Sequence, residues 1–206
     1  MISWREVYTL LRRKWIILVG LLVISSLLTA CGSYKFKPEM SIDVQDFSFT
    51  NQNNEQVNLE SFKGKPWLAM FIFTNCNSIC PPMTYNMTDV QKSLEDEGVK
   101  DYQIVAFSVD PEVDTPDVLK NYLKTYSVVD DSKWQLLTGY KQVYIEQFAR
   151  KSFNSLVKND PNSDQVVHMS SFYLVNADGV VVKDYDGTTD VPVETIVADM
   201  KALSKN

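Results

Sequence analysis

Apolar residues recur along this chain in two rhythms, and together these predict most of its elements. In residues 41–66 they alternate with polar ones on either side of an Asn-rich turn, the pattern of a β-hairpin. Residues 67–74, WLAMFIFT, are almost unbroken in apolar character and predict a central strand covered on both faces; QIVAFSV, residues 103–109, predicts a second. Between them Met83, Met87, Val90 and Leu94 return at helical spacing until Gly98, with Pro81 and Pro82 tolerable only in the first turn. Thr115 is placed to cap a helix that opens on Pro116 and runs to about Tyr126. A short strand over 134–137 and a helix over 141–153 follow. A polar loop, VKNDPNSDQ, then leads to a strand over 171–175, a tight Ala-Asp-Gly turn, a second strand and a helix over 193–203.

Strands alternating with helices predict an α/β domain, and the closing antiparallel pair makes its sheet mixed. One domain over residues 41–204, flanked by helices and extended at its N-terminus by the hairpin, accounts for the pattern. No internal repeat interrupts it.

The first thirty residues stand apart. Arg5, Arg12, Arg13 and Lys14 precede an uncharged run from Ile16 to Ala30, as a basic n-region precedes an apolar h-region. The run ends in Leu28-Thr29-Ala30-Cys31, similar to the lipobox of bacterial lipoproteins, where cleavage precedes a cysteine that receives lipid. Fifteen apolar residues are fewer than the ~20 that span a bilayer unaided. A signal peptide with lipidation of Cys31 is therefore the first expectation and an uncleaved anchor the second. Both leave the basic residues in the cytoplasm and tether the rest outside it at the cell membrane, with residues 31–40 as a linker.

Composition adds exclusions. Hydrophobic residues make up 45% and charged residues 22%, ordinary for a globular protein. Taking away the four Lys/Arg and one Glu of residues 1–30 leaves 16 basic against 25 acidic residues, a net charge of −9. Such a surface repels phosphate backbones, and no nucleic-acid partner is expected. If Cys31 carries lipid, only Cys76 and Cys80 remain, too few for a disulfide-stapled scaffold.

Those two cysteines sit in FTNCNSICPP, at the end of the predicted central strand. Four positions apart at a helix start, their side chains lie on one face, about 5–6 Å apart. The helix N-terminus favours thiolate over thiol. Four readings are open: a structural disulfide, a redox pair, a zinc half-site, and a soft-metal site with a third ligand from elsewhere. A disulfide closing so short a loop stabilises little. Structural zinc wants four ligands, and the chain has one histidine, His168, ahead of the strand over 171–175. Two thiolates and an imidazole would suit copper, as Cu(I) or Cu(II).

Three segments carry a resemblance to a known family: Phe73-Thr-Asn-Cys76-Asn-Ser-Ile-Cys80-Pro81, Phe107-Ser-Val-Asp110-Pro-Glu-Val-Asp114-Thr-Pro116, and Val167-His168-Met-Ser-Ser-Phe-Tyr-Leu174. In this order they resemble the Sco (synthesis of cytochrome c oxidase) family of membrane-anchored copper proteins, its bacterial lipoprotein members above all. The resemblance implies a thioredoxin-like fold, with Cys76, Cys80 and His168 as copper ligands and Asp110 as an outer-sphere or occasional fourth ligand. It implies a metallochaperone for the binuclear copper site of cytochrome c oxidase subunit II, a carrier and not an enzyme, served by a copper donor and a thiol reductant. In that mechanism a Cys76–Cys80 disulfide is the empty form, so redox state gates loading. The rival reading is an extracytoplasmic thiol-disulfide reductase that keeps the oxidase's copper-site cysteines reduced. One departure stands out: Asn77 occupies a position where many relatives have proline.

Overall fold

Strand β4 (Trp67–Ile72) is the centre of the sheet, and all six of its residues are fully buried. Strand alternation sends them into two different cores. Trp67, Ala69 and Phe71 join an aromatic layer with Phe107 and Phe153, while Leu68, Met70 and Ile72 join a second layer with Met83, Leu94 and Met200. A strand covered on both faces has no place for polar side chains, hence its continuous apolar run.

The computed structural model describes residues 12–15 and 34–204. The chain divides into two compact units, Met1–Lys35 and Phe36–Asn206. In the first, residues 12–15 are helical; the expected leader run, the lipobox and Cys31 lie outside the described residues.

The second unit holds one eight-stranded sheet in the order β1-β10-β9-β4-β5-β6-β2-β3. Its members are β1 (Ile42–Asp43), β2 (Ser48–Asn51), β3 (Gln56–Asn58), β4, β5 (Gln103–Ser108), β6 (Trp134–Thr138), β9 (Ser171–Val175) and β10 (Val180–Asp186). The three strands β4, β5 and β6 are parallel, and β9 and β10 complete the mixed sheet antiparallel to their neighbours. Helices α1 (Cys80–Asp96), α2 (Pro116–Lys124) and α4 (Val193–Leu203) cover the second core; α3 (Gln142–Phe153) and the β2–β3 hairpin cover the aromatic one. This is the expected architecture, helices on both sides of a mixed sheet. The parallel strands end together, and loops beyond such carboxyl ends are where open α/β sheets build sites.

Three local expectations are corrected. The segment over 41–66 is not one hairpin: β1 pairs with β10 at the far edge of the sheet, and the hairpin proper is β2–β3, joined to β6. The polar stretch after α3 is not a plain loop. It contains β7 (Val157–Asn159) and β8 (Val166–His168), an antiparallel pair separate from the main sheet, so His168 sits on a strand and not in a loop. Strands of only three residues on either side of Asp160-Pro161-Asn162 are too short for a period-two pattern to show. Finally, the segment taken as a linker ends against the domain, for Glu39 and Met40 both donate backbone N–H to Val182 O.

Candidate metal centre

The turn after β4 sets the first ligand candidate. Phe73 is buried, its carbonyl accepts the Cys76 N–H at 3.3 Å, and the chain bends through residues 77–79 into α1. The helix starts at Cys80, so Cys76 precedes it in the loop and does not share a helical face with Cys80, as the spacing had suggested. The sulfurs still converge, for a different reason. Ile79, at the N-cap, offers no side-chain acceptor, and Pro81 and Pro82 carry no N–H. The Cys80 amide is left as an orphan donor at the helix mouth, and it points to Cys76 Sγ at 3.4 Å. A sulfur thus caps the helix where an oxygen usually would.

Strand alternation sets the third. Along β8, Val166 is buried, Val167 exposed and His168 buried at 7% exposure. His168 Nδ1 lies 2.9 Å from the Met169 carbonyl, which can only accept, so this nitrogen carries the proton. In the neutral ring Nε2 then presents its lone pair, and it lies 3.2 Å from Cys80 Sγ. The Phe73 ring packs at right angles to the imidazole, centroids 5.8 Å apart, and fixes its plane. Among the described residues, Cys76, Cys80 and His168 form the group of His, Cys, Asp and Glu whose ligand atoms come together, all within 4.8 Å of one another. Both cysteines are free thiols in this structure.

With fold and site in view, comparison with known proteins is decisive: the SCO1/SenC family model matches residues 37–205. The chain belongs to the SCO1/SenC family. A SCO1/SenC family lipoprotein from Bacillus anthracis superposes with a TM-score of 0.77 at 42% identity, over 82% of this chain and 99% of that one. BsSco, described with a disulfide switch and as a member of the Sco family of cytochrome c oxidase assembly proteins, gives 0.76 at 49% identity over 83% and 98%. Bradyrhizobium japonicum ScoI, solved with copper bound, gives 0.66 at 30% identity over 79% and 99%. The thioredoxin-like fold follows for this family member.

The two sulfurs of this SCO1/SenC chain are electrostatically unequal. Cys80 is fully buried, and its hydrogen bond to Cys76, together with that burial, pushes its thiol well above the ordinary range. Cys76 is held down to about 3, first by that same hydrogen bond from Cys80, against the opposing effect of burial, and further by the amides of residues 78 and 80. The proton shared by the pair therefore rests on the more buried sulfur, where charge would cost most. Alkylation of the reduced protein should accordingly occur at Cys76, at a rate nearly flat between pH 5 and 7. An ordinary thiol below its pKa of ~8.5 gains roughly 100-fold over that interval, because its thiolate fraction rises tenfold per pH unit. Mass-spectrometric rates decide, and a 100-fold rise at Cys76 would refute the assignment.

Asp110 does not join the converging trio. Its backbone N–H bonds Ser108 Oγ at 3.1 Å, and its half-buried carboxyl is pushed upward by burial and by the charges of Asp114, Glu112 and Asp164. The carboxylate that organises this end of the sheet is Asp114, which sequence reasoning passed over. Fully buried, it accepts the Thr74 N–H at 3.2 Å, the Thr74 hydroxyl at 2.5 Å and the Ser108 hydroxyl at 2.6 Å. Thr74 stands two residues before Cys76, so Asp114 ties the base of the cysteine loop to the end of β5. Asp114 lies within the Asp-Pro-Glu-Val-Asp segment quoted above, but nothing in that segment says what it would face.

Proposed function

We propose that this protein is a copper metallochaperone for the binuclear copper site of cytochrome c oxidase subunit II, with Cys76, Cys80 and His168 as the ligands and copper as cargo. The observation that carries the reading is the convergence of two sulfurs and an imidazole nitrogen within 4.8 Å, built from three separate segments. Two soft thiolates and a borderline imidazole suit Cu(I), and the same set with an added ligand suits Cu(II). The copper-bound relative and the disulfide switch described for BsSco support the same reading.

Redox state gates the site. Copper needs both sulfurs as thiolates, and a Cys76–Cys80 disulfide offers none; reloading then takes two electrons and two protons from a thiol reductant, followed by copper from a donor. Asp110 serves at most as an outer-sphere group or transient fourth ligand.

Residues 1–30 act as the signal peptide, Cys31 as the lipidated residue, and residues 31–40 as the tether up to Glu39 and Met40, which are bonded to the domain, with the domain outside the cytoplasm at the cell membrane. Among the described residues no helix is long and apolar enough to cross a membrane. Intact mass of the membrane-extracted protein tests this, since an unprocessed N-terminus contradicts it.

Anaerobic copper titration of the reduced full chain tests the ligand set. His168→Ala is expected to lower affinity at least about tenfold, some 1.4 kcal/mol, and to change the copper spectrum; unchanged affinity and spectrum would remove His168 from the site.

A second reading has its own observation, the low pKa of Cys76 beside the buried Cys80 thiol. A Cys76 thiolate would attack a partner disulfide, the Cys80 thiolate would then displace the partner's sulfur, and the partner would leave as a dithiol while Cys76–Cys80 became the disulfide. Such a reductase would turn over on an oxidase subunit carrying a copper-site disulfide, would survive His168→Ala and would be lost in Cys76→Ser.

A further inference from the structure

The geometry points to Gly187 and Asn86 as a bridge that sets the spacing between the His168 segment and the Cys80 helix, a positioning role that rests on the copper reading above. His168 lies on the β7–β8 pair, which does not belong to the main sheet, so no strand register fixes its distance from α1. The chain rejoins the sheet only at Ser171, opposite Asp186. At that junction the Gly187 N–H donates to Ser170 O at 2.8 Å, two residues past His168. From the other side the Asn86 amide donates to Gly187 O at 2.9 Å and to Thr188 O at 3.2 Å, and Asn86 lies on the same helix as Cys80. A single residue, Gly187, is thereby bonded to both ligand-bearing segments.

That residue is a glycine for want of space, since its φ lies outside the left-handed region. A Cβ there would stand 2.6 Å from Ser170 O and 2.8 Å from Phe172 Cε1. The first obstacle is backbone and the second a fully buried ring, so neither gives way cheaply. Adding a methyl group must push the Ser170 carbonyl outward, and with it the strand end that carries His168. Apart from the contacts of the imidazole itself with Phe73 and Cys80, the hairpin bonds the cysteine loop through Asn75, whose side chain donates to Asp164 and whose carbonyl accepts from Gln165; both bonds are solvent-exposed and hold the spacing less firmly.

Two variants of the full chain test the bridge. Gly187→Ala wedges it open. Asn86→Ala removes its donor while improving helix propensity at a half-exposed position, so α1 is preserved even if the glycine variant fails to fold. The chain has one histidine, so its imidazole nitrogen signals in the reduced, metal-free protein report His168 without ambiguity. Both variants are expected to shift those signals, and to speed copper loss by about tenfold with an altered cupric absorption band, as for supporting residues around other metal sites. Lowered melting temperature with imidazole signals unchanged from wild type would make the contacts merely structural and overturn the proposal. Failure of the wild-type chain to bind copper would sink the chaperone reading alone, and the metal-free imidazole signals would still decide the bridge.

Discussion

Replacing Cys80 by serine is expected to lower copper affinity at least about 10³-fold, roughly 4 kcal/mol, the largest effect of any single change at the site. Cys80 Sγ lies 3.2 Å from His168 Nε2, and the Cys80 amide bonds Cys76 Sγ, so this residue joins the other two ligands. A serine hydroxyl is a hard donor that stays protonated at neutral pH, and in a fully buried position no water replaces the lost thiolate. What remains is one sulfur and one imidazole. The same substitution removes any Cys76–Cys80 disulfide, so the protein should no longer show a redox-dependent change in mobility or thiol count. Competition against a copper chelator under anaerobic conditions measures the first effect. An affinity within tenfold of wild type would mean that copper is held elsewhere.

Asp114→Ala is expected to destabilise the domain by about 3 kcal/mol, because the Thr74 N–H, the Thr74 hydroxyl and the Ser108 hydroxyl lose a buried acceptor at about 1–3 kcal/mol for each group left unsatisfied, with partial relaxation. For a domain of this size that lowers the melting temperature by roughly 6–12 °C. Asp114→Asn keeps the shape and one acceptor and should cost less. Its pH dependence is diagnostic. Burial holds the Asp114 carboxyl above its ordinary value of 3.8 in the folded state, so its contribution is fully present below the unfolded pKa and is lost as pH rises through the folded one. Asparagine does not titrate, so the deficit of Asp114→Asn relative to wild type should narrow as pH rises through that window. A deficit that widened instead would show the carboxylate to be the favoured buried form. Loss of copper affinity alongside the stability loss is also expected, since Thr74 anchors the loop that carries Cys76.

Much of the molecule was legible beforehand because its signals are local. A doubly covered strand must be apolar throughout, and WLAMFIFT is; Thr115 does cap α2, accepting the Val118 N–H at 3.4 Å. The β2–β3 turn is built by Asn51, whose side-chain oxygen accepts the N–H groups of Asn53 and Glu55, the kind of self-bonding that makes Asn-rich stretches turn. The β7–β8 pair escaped because its strands are three residues long and flank a proline, so periodicity had nothing to work on. Cys76 was placed on a helical face because four-residue spacing suggests one, whereas Pro81, Pro82 and an uncapped Ile79 start the helix only at Cys80.

By itself the sequence determined that two cysteines lie at the end of a central strand, that one histidine is available to them, and that the three segments occur in the order of the Sco family. These are matters of residue identity and local pattern. Tertiary structure alone decided that Cys76 reaches Cys80 through an orphan helix amide, that strand alternation on a detached hairpin turns His168 inward, and that Asp114 and Gly187 hold the approaching segments in place. Each of those contacts joins residues that are distant in the chain or meet through loop geometry, and no local pattern encodes the distance between them.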